Sequence, residues 1–336
     1  MSAPGVLLVG SFPFKTAEEA FDVAGPALAG VAKRLPDGEA QGWVTFAGAT
    51  LARAIGIEAK EQATQPRAPR FRLKPGVEAK DVRFAPVGYD QIALRSYDIF
   101  AKRRADGKIS LATRFQVSLP TPFGILGHAV IPEHVGALLP YFEKSYLAEV
   151  ETFLAAIPHQ DLAIQWDLAI EIIACLLAAT PGLAERFSMA DLVQSIARVS
   201  QPIPREVELG IHFCYGNLGG RHVIEPESTA LMVRFYNALG AAIARPIDWA
   251  HMPVPKNRAD DAYFAPLQDL HLRPETELYL GLVHLDDGIE GTKRRIAAAR
   301  RYISGFGVGW ECGLRAFKPE TIPAMLALQK EAALIV

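Results

Sequence analysis

Short apolar runs recur along the chain and alternate with longer stretches that have helical periodicity. The runs cover residues 6–10, 42–48, 114–120, 162–167, 206–214, 246–252, 278–284 and 306–311. Hydrophobic runs of this length are typical of parallel strands that are buried on both faces. The pattern therefore predicts a parallel sheet with helices packed against both sides.

The stretches between these runs predict helices at about 16–33, 90–104, 132–157, 168–179, 189–199, 228–244 and 288–304. Thr16 is the expected N-cap of the first helix, and the third is expected to break near Leu139 and Pro140. Eight strands alternating with helices over 336 residues is the count of a single (β/α)8 TIM barrel, in the α/β class. A doubly wound parallel sheet is the alternative.

Composition favours one domain. Half of the residues are hydrophobic, and no break in composition marks a boundary. We therefore interpret residues 1–336 as a single catalytic barrel. A stretch at about 62–86, rich in proline and basic residues, is expected to be a long surface excursion from it.

Charge and cysteine content limit the partners and the compartment. Lys and Arg number 35 against 37 Asp and Glu, which provides no basic field for nucleic acid. The longest uncharged apolar run, 172–179, is too short for a bilayer, which needs about 20 residues, and the N-terminus lacks signal-peptide features. Three cysteines are too few for a disulfide framework. The sequence thus predicts a cytoplasmic protein with neither a nucleic-acid nor a membrane partner.

The candidate chemistry lies at the predicted strand ends. In a (β/α)8 barrel the carboxyl ends of the strands surround one mouth, where active sites lie. The polar residues at these ends are Ser11, Thr45, Ser118, Asp167, His212 with Cys214, Asp248 with His251, His284 with Asp286, and Cys312.

The segment His212-Phe-Cys214 is the strongest of these signals. Side chains two apart on a strand point to the same face, with Cα atoms about 6.5 Å apart. Imidazole and thiolate suit zinc, and Cys312 at the end of the eighth strand can supply a second sulfur. Three protein ligands leave a position open, as in a catalytic site. The alternative is that the histidine and both cysteines are core residues, as cysteine often is.

Five motifs then appear in one order along almost the whole chain: Gly10-Ser-Phe-Pro13, Phe115-Gln-Val-Ser-Leu-Pro-Thr-Pro122, Ile164-Gln-Trp-Asp167, His212-Phe-Cys214-Tyr-Gly-Asn217 and Glu311-Cys-Gly313. With them the sequence resembles the catalytic barrel of cobalamin-independent methionine synthase. It is similar also to the wider group of single-barrel thiol alkyltransferases, which includes the epoxyalkane:coenzyme M transferases.

The resemblance implies a zinc cofactor held by His212, Cys214 and Cys312, which binds a small thiol acceptor as thiolate for attack on an alkyl carbon. It also implies that Ser11 grips the acidic group of the thiol and that Asp167 lines the same pocket as a catalytic and substrate-binding residue. The further candidates for the substrate pocket are Gly10 and Ser118, which belong to the same motifs, and Asn217, in a glycine-rich turn. His222, just beyond that turn, is a candidate general acid.

Three departures from the family shape the expectations. The family's fourth ligand, a glutamate, falls near Pro253, so His251 is the candidate substitute, with a core histidine as the alternative. The predicted second strand ends at Phe46-Ala47-Gly48 without the carboxylate that binds the amino group of homocysteine, which argues against that acceptor. The family's first barrel, which helps to bind folate, has no counterpart here. A methylated corrinoid protein or a small electrophile is therefore favoured over folate as the donor.

Three hypotheses remain open at this point. The first is a zinc-dependent methyl or alkyl transferase acting on a zinc-activated thiol. The second is a metal-free barrel of the uroporphyrinogen decarboxylase type. The third is a non-catalytic member of the superfamily that keeps zinc as a structural element.

Overall fold

The computed structural model describes residues 5–40, 43–61, 70–176, 182–218 and 221–336. For residues 43–47, 61 and 217–218 it describes the backbone alone.

Eight parallel strands form the barrel, and each has a helix packed outside it. The strands are β1 (Val6–Leu7), β2 (Arg34–Pro36), β3 (Arg114–Pro120), β4 (Leu162–Leu168), β5 (Glu208–Phe213), β6 (Trp249–Pro253), β7 (Glu277–Val283) and β8 (Gly307–Trp310). They are hydrogen-bonded in the order β1-β8-β7-β6-β5-β4-β3-β2. A single parallel bridge between Val6 and Ala32 joins the two ends of this sheet. The predicted (β/α)8 TIM barrel is confirmed.

The α-helices in the described part of the chain are α1 (Ala17–Ala27), α2 (Trp43–Ala52), α3 (Tyr89–Ala105), α4 (Pro122–Ala129), α5 (Pro132–Ala156), α6 (Ile170–Leu176), α7 (Met189–Ser200), α8 (Ala230–Ala242), α9 (Asp261–Phe264), α10 (Gly288–Ala299) and α11 (Ile322–Ala333). Thr16 caps α1 as predicted, since its side chain accepts a hydrogen bond from the Glu19 N–H. None of the helices described is both long enough and apolar enough to cross a membrane.

Two antiparallel hairpins stand outside the barrel sheet. One pairs Ile57–Glu61 with Arg70–Leu73, and the other pairs Asn217–Leu218 with Arg221–His222. Only the second strand of the first hairpin, Arg70–Leu73, lies in the predicted surface excursion at 62–86, of which residues 62–69 are outside the described part. Phe71 and Val82 in this stretch are each 4% exposed, so its described portion packs against the barrel.

Two predictions from the apolar pattern are wrong. Residues 42–48 were expected to form the second strand, but 43–52 form helix α2, and the second strand is Arg34–Pro36. The pattern misses β2 because only Leu35 in it is a typical strand residue. The second error concerns α5, which runs through Pro140 without ending there.

A buried ion cluster fills the N-terminal end of the barrel. Arg34 on β2 is 3% exposed, and its guanidinium donates hydrogen bonds to Glu208 and Glu277 at the starts of β5 and β7. The guanidinium also lies over the Trp249 ring, 4.2 Å from its centroid. Because a buried charge needs such partners, the cluster explains why an arginine stands in a barrel strand.

Above the ion cluster, two amide side chains anchor the chain that follows β1. Gln116 Nε2 donates to the Leu8 carbonyl at 2.9 Å, and Gln165 Nε2 donates to the Val9 carbonyl at 2.5 Å. The Trp249 indole N–H donates to Gln165 Oε1 at 3.3 Å. Strand β1 is only two residues long. These side-chain hydrogen bonds therefore hold the segment that leads from β1 into the barrel mouth.

We expect Gly210→Ala to destabilise the barrel by about 1–3 kcal/mol, because overpacking a filled interior forces neighbouring atoms to shift. A Cβ at Gly210 would lie 1.8 Å from a ring carbon of Trp249, which is fully buried. Denaturant unfolding measures the change. The matched control is Gly240→Ala in α8, where a Cβ meets nothing closer than 4.0 Å. That variant is expected to be neutral or up to about 1 kcal/mol more stable. Equal stability of the two variants would contradict the interior packing described above.

Candidate metal centre and active site

A cluster of one histidine and two cysteines lies where β5 and β8 end. His212 is on β5, Cys214 follows β5 directly, and Cys312 follows β8. One ligand atom from each residue lies within 4.8 Å of the others, and the two sulfur atoms are 3.5 Å apart. The closed barrel therefore brings Cys312 to a pair of residues from which it is separated by 98 positions or more in the sequence.

The donor set fits zinc. In a tetrahedral site with Zn–S bonds of about 2.3 Å, two sulfur ligands lie about 3.8 Å apart, close to the separation seen here. Burial lowers the pKa of His212 well below its usual value, and the neighbouring His251 acts in the same direction. His212 is thus a neutral imidazole, the form that binds metals.

The two sulfur atoms contact each other, and one of them also contacts main chain. The Gly216 N–H donates to Cys214 Sγ at 3.3 Å. Contact with Cys214, together with burial, raises the pKa of the Cys312 thiol well above its usual value. The Cys312 thiol therefore resists ionisation unless a cation lies beside it.

His251, the expected substitute for the fourth ligand, lies next to this cluster and not in it. The three residues whose ligand atoms converge are His212, Cys214 and Cys312. His251 faces His212 instead, with 2.8 Å between the two Nδ1 atoms.

A carboxylate that the sequence interpretation missed lies at the mouth. Because β2 is Arg34–Pro36, the second strand is followed by Asp37 and Glu39, and the expectation of no carboxylate there was wrong. A Cβ at Gly10 would come 1.9 Å from Oε1 of Glu39, so this carboxylate packs directly on Gly10. Burial, with repulsion from Asp37, raises the pKa of Glu39 to about 8.

Asp167 at the end of β4 is the second carboxylate of this group. Gln165 Nε2 donates to its Oδ1 at 2.8 Å. Burial raises the pKa of Asp167 well above its usual value, and repulsion from Glu39 is the next largest cause. A cationic group placed between Asp167 and Glu39 would lower the pKa of both carboxyl groups.

The segment after β1 forms the adjoining wall. A Cβ at Gly313 would lie 2.1 Å from Ser11 Oγ, so Ser11 sits against the residue that follows Cys312. Ser118 Oγ donates to the Val9 carbonyl at 3.0 Å and would lie 3.2 Å from a Cβ at Gly10. Gly10 and Ser11 thus line a small pocket together with Cys312, and Ser118 packs on Gly10. The roles of Gly10, Ser11, Ser118 and Asp167 in binding a substrate stay predictions, and the side chain of Asn217 is outside those that the structure describes.

His222 packs against Tyr215, just after β5, and bonds to Glu311, just after β8. Its Nε2 is 2.9 Å from Glu311 Oε1, and its Nδ1 contacts Glu225. Hydrogen bonding to Glu311 is the main cause that raises the pKa of His222 to about 9. His222 is therefore an imidazolium near neutral pH, and its predicted role as a general acid stays a prediction.

The His222–Glu311 pair is expected to make stability fall as pH rises from about 6.5 to about 9. A group whose pKa is higher in the folded than in the unfolded protein stabilises the fold fully when the pH is below its unfolded pKa. This stabilisation is lost as the pH rises through the folded pKa. We expect His222→Gln to lower the free energy of unfolding by about 1 kcal/mol at pH 6, a small effect because partial exposure screens the pair. Above about pH 9.5, where the imidazole is neutral, we expect no measurable loss. Urea unfolding of both proteins at the two pH values measures this. His271→Gln, at an exposed position, is the control. An equal cost at both pH values would contradict the ion pair.

Comparison with known proteins gives likeness at the level of structure. No protein-family model matches the sequence, and no curated protein matches it. A B12-independent methionine synthase from Shewanella sp. W3-18-1, solved with selenomethionine, aligns with a TM-score of 0.60 at 15% identity, over 100% of this chain and 98% of that one.

Two other solved structures are similar. A protein assigned as a vitamin-B12 independent methionine synthase from Listeria monocytogenes aligns with a TM-score of 0.58 at 13% identity, over 95% of this chain and 86% of that one. A methyltransferase from Methanosarcina mazei aligns with a TM-score of 0.56 at 13% identity, over 98% of this chain and 94% of that one. The resemblance stated from the sequence is confirmed as a likeness of fold.

Proposed function

We propose that this protein is a zinc-dependent transferase that moves a methyl or other alkyl group to a small thiol. The observation that carries the proposal is the convergence of His212, Cys214 and Cys312 at the carboxyl end of the barrel, with ligand atoms within 4.8 Å of one another. Barrel enzymes use this end for catalysis. The names of the similar structures, two methionine synthases and a methyltransferase, support the same class.

The chain supplies three ligands, so one position is left for a substrate. A zinc ion bound here would keep a coordinated substrate thiol as thiolate near neutral pH, where a free thiol is mostly protonated. His212 contributes a neutral imidazole, and the Gly216 N–H donates a hydrogen bond to Cys214 Sγ, which helps to hold this side chain in place.

The carboxylates of Glu39 and Asp167 support an acceptor thiol that carries an amino group. Both side chains are partly buried at the mouth, and Glu39 raises the pKa of Asp167, so an ammonium between them would be stabilised. Ser11, held against Gly313, lies on the side where an acidic group of the same molecule would bind. Homocysteine, which the sequence interpretation argued against, is therefore our proposed acceptor class. The donor, a methylated corrinoid protein, a folate or a small electrophile, stays open.

The third hypothesis, a non-catalytic zinc protein, rested in part on the lack of a carboxylate after the second strand. Glu39 removes that support. What separates the remaining hypotheses is whether a metal is present and whether it exchanges ligands, because structural zinc sites are closed.

The test is elemental analysis of the purified protein, followed by X-ray absorption with and without homocysteine. We expect about one zinc per chain, two sulfur ligands in the free protein, and a third sulfur when homocysteine is added. A folded, metal-replete sample without zinc would rule out the proposal in favour of a metal-free barrel. Zinc whose sulfur count no thiol changes would indicate a structural site.

A further inference from the structure

His251 forms a buried pair with the proposed ligand His212. The two residues are register partners on neighbouring strands β6 and β5, and both side chains point into the barrel. His251 is 0% exposed and His212 is 3% exposed. Their Nδ1 atoms are 2.8 Å apart, and the ring planes cross at 49°.

A separation of 2.8 Å between two imidazole nitrogens requires one shared hydrogen atom. A neutral imidazole has one N–H donor and one bare nitrogen, so one ring donates and the other accepts. Two bare nitrogens or two N–H groups would repel each other at this distance. The pair therefore couples the two tautomers: the ring that donates carries its hydrogen on Nδ1, and the ring that accepts carries its hydrogen on Nε2.

The direction of this hydrogen bond follows from the proposed metal site. Nδ1 of His212 is occupied by His251, which leaves Nε2 of His212 as the nitrogen for the metal. Nε2 must then be bare, so the hydrogen is on Nδ1 of His212 and is donated to Nδ1 of His251. His251 in turn carries its own hydrogen on Nε2.

Nε2 of His251 points towards strand β8. A Cβ at Gly309 would lie 3.3 Å from it. Nε2 of His251 makes no hydrogen bond with the residues that the structure describes, and the main chain of Trp310 is near enough to influence the pKa of His251. Trp310 is the last residue of β8, two residues before Cys312. His251 therefore lies between strand β8, which leads to the proposed ligand Cys312, and the side chain of the proposed ligand His212.

We propose that His251 is a positioning residue that holds His212 in the tautomer and orientation needed to bind metal through Nε2. The inference rests on the proposed function. It replaces the expectation that His251 is the fourth ligand, because both its ring nitrogens face protein groups and its ligand atoms are not among the three that converge. A histidine that binds a metal generally donates its other N–H to an acceptor, and removing that acceptor typically weakens metal binding about 10–100-fold.

A neutral acceptor suits this place. A carboxylate next to His212 would carry a charge into a closed barrel interior, where an unpaired charge is costly. A histidine provides a bare nitrogen at the same distance without a net charge.

Two substitutions of His251 separate positioning from packing. His251→Asn places an amide oxygen near the position of Nδ1 and so keeps an acceptor. Leucine has a volume similar to that of histidine, so His251→Leu keeps the space filled and removes the hydrogen-bond acceptor. Tyr279→Phe is the control, because Tyr279 is the register partner of His251 on β7, is fully buried and hydrogen-bonds at the opposite end of the barrel.

The measurements are zinc affinity, by competition with a chromophoric chelator, and the absorption spectrum of the cobalt(II)-substituted protein. We expect His251→Leu to weaken zinc binding about 10–100-fold and to shift the cobalt bands. His251→Asn should recover most of the affinity, and Tyr279→Phe should match the wild type. Thermal unfolding of each metal-free variant shows whether it is folded.

Unchanged zinc affinity and cobalt bands in a folded His251→Leu variant would overturn the inference. So would X-ray absorption that finds two imidazole ligands in the wild type and one in this variant, since His251 would then be a ligand. A wild type that binds no zinc would overturn the proposed function and this inference together, and it is detected before any variant is compared.

Discussion

Cys214→Ser is expected to lose its zinc during purification and to lose thiol transfer with it. Structural zinc sites bind with about 10–16 kcal/mol, so losing one of three protein ligands costs on the order of 3 kcal/mol or more, which is over a hundredfold in affinity. A serine hydroxyl is a hard donor that stays protonated and does not replace a thiolate. Cys312→Ser should behave in the same way, because the two sulfurs lie 3.5 Å apart in one cluster.

Cys175→Ser is the matched control for this prediction. Cys175 lies in α6, outside the three-residue cluster, and burial raises the pKa of its thiol to about 11. We expect this variant to keep one zinc per chain. Zinc content by elemental analysis, and thiol transfer in the same samples, measure both outcomes. A Cys214→Ser protein that keeps its zinc with the same number of sulfur ligands would show that the cluster is not the metal site.

The sequence predicts the barrel well where strands are apolar and buried. The third and fourth predicted strands, 114–120 and 162–167, agree with β3 (Arg114–Pro120) and β4 (Leu162–Leu168) almost residue for residue. Most residues of both strands are buried, so hydrophobicity alone identifies them.

Strand β2 shows where this approach fails. Arg34 is buried in it because Glu208 and Glu277, more than 170 residues away, neutralise its charge. No local pattern contains that information. The apolar segment 43–52, by contrast, has the composition of a strand and forms helix α2. Whether this segment forms a strand or a helix depends on tertiary packing, which overrides local propensity.

The candidate site, like the fold, was predictable only in part from the sequence. The spacing of His212 and Cys214 indicates one face of a strand without further information. The partner Cys312 needs the closed barrel, because β5 and β8 are not neighbours in the sheet. Glu39 was missed because it follows the misassigned strand, although the carboxylates of Asp37 and Glu39 directly after a short strand were a usable signal. The contact between His251 and His212 depends on strand register, which the sequence does not specify.

Glu39→Gln is expected to weaken homocysteine binding about 10–100-fold and to leave zinc content unchanged. A hydrogen bond between charged groups contributes about 1.5–3 kcal/mol, and the variant removes the negative charge while keeping the shape of the side chain. Asp167→Asn should have an effect of similar size. The two effects should not add, because each carboxylate influences the other.

Mercaptobutanoate, which differs from homocysteine only by lacking the amino group, makes this test specific. Neither variant should weaken its binding, since it has no ammonium for Glu39 and Asp167 to hold. Isothermal titration of both thiols into the zinc-loaded wild type and the two variants gives the six affinities needed. If Glu39→Gln weakens both ligands equally, the carboxylate maintains the shape of the mouth, and the acceptor is then a thiol without an amino group.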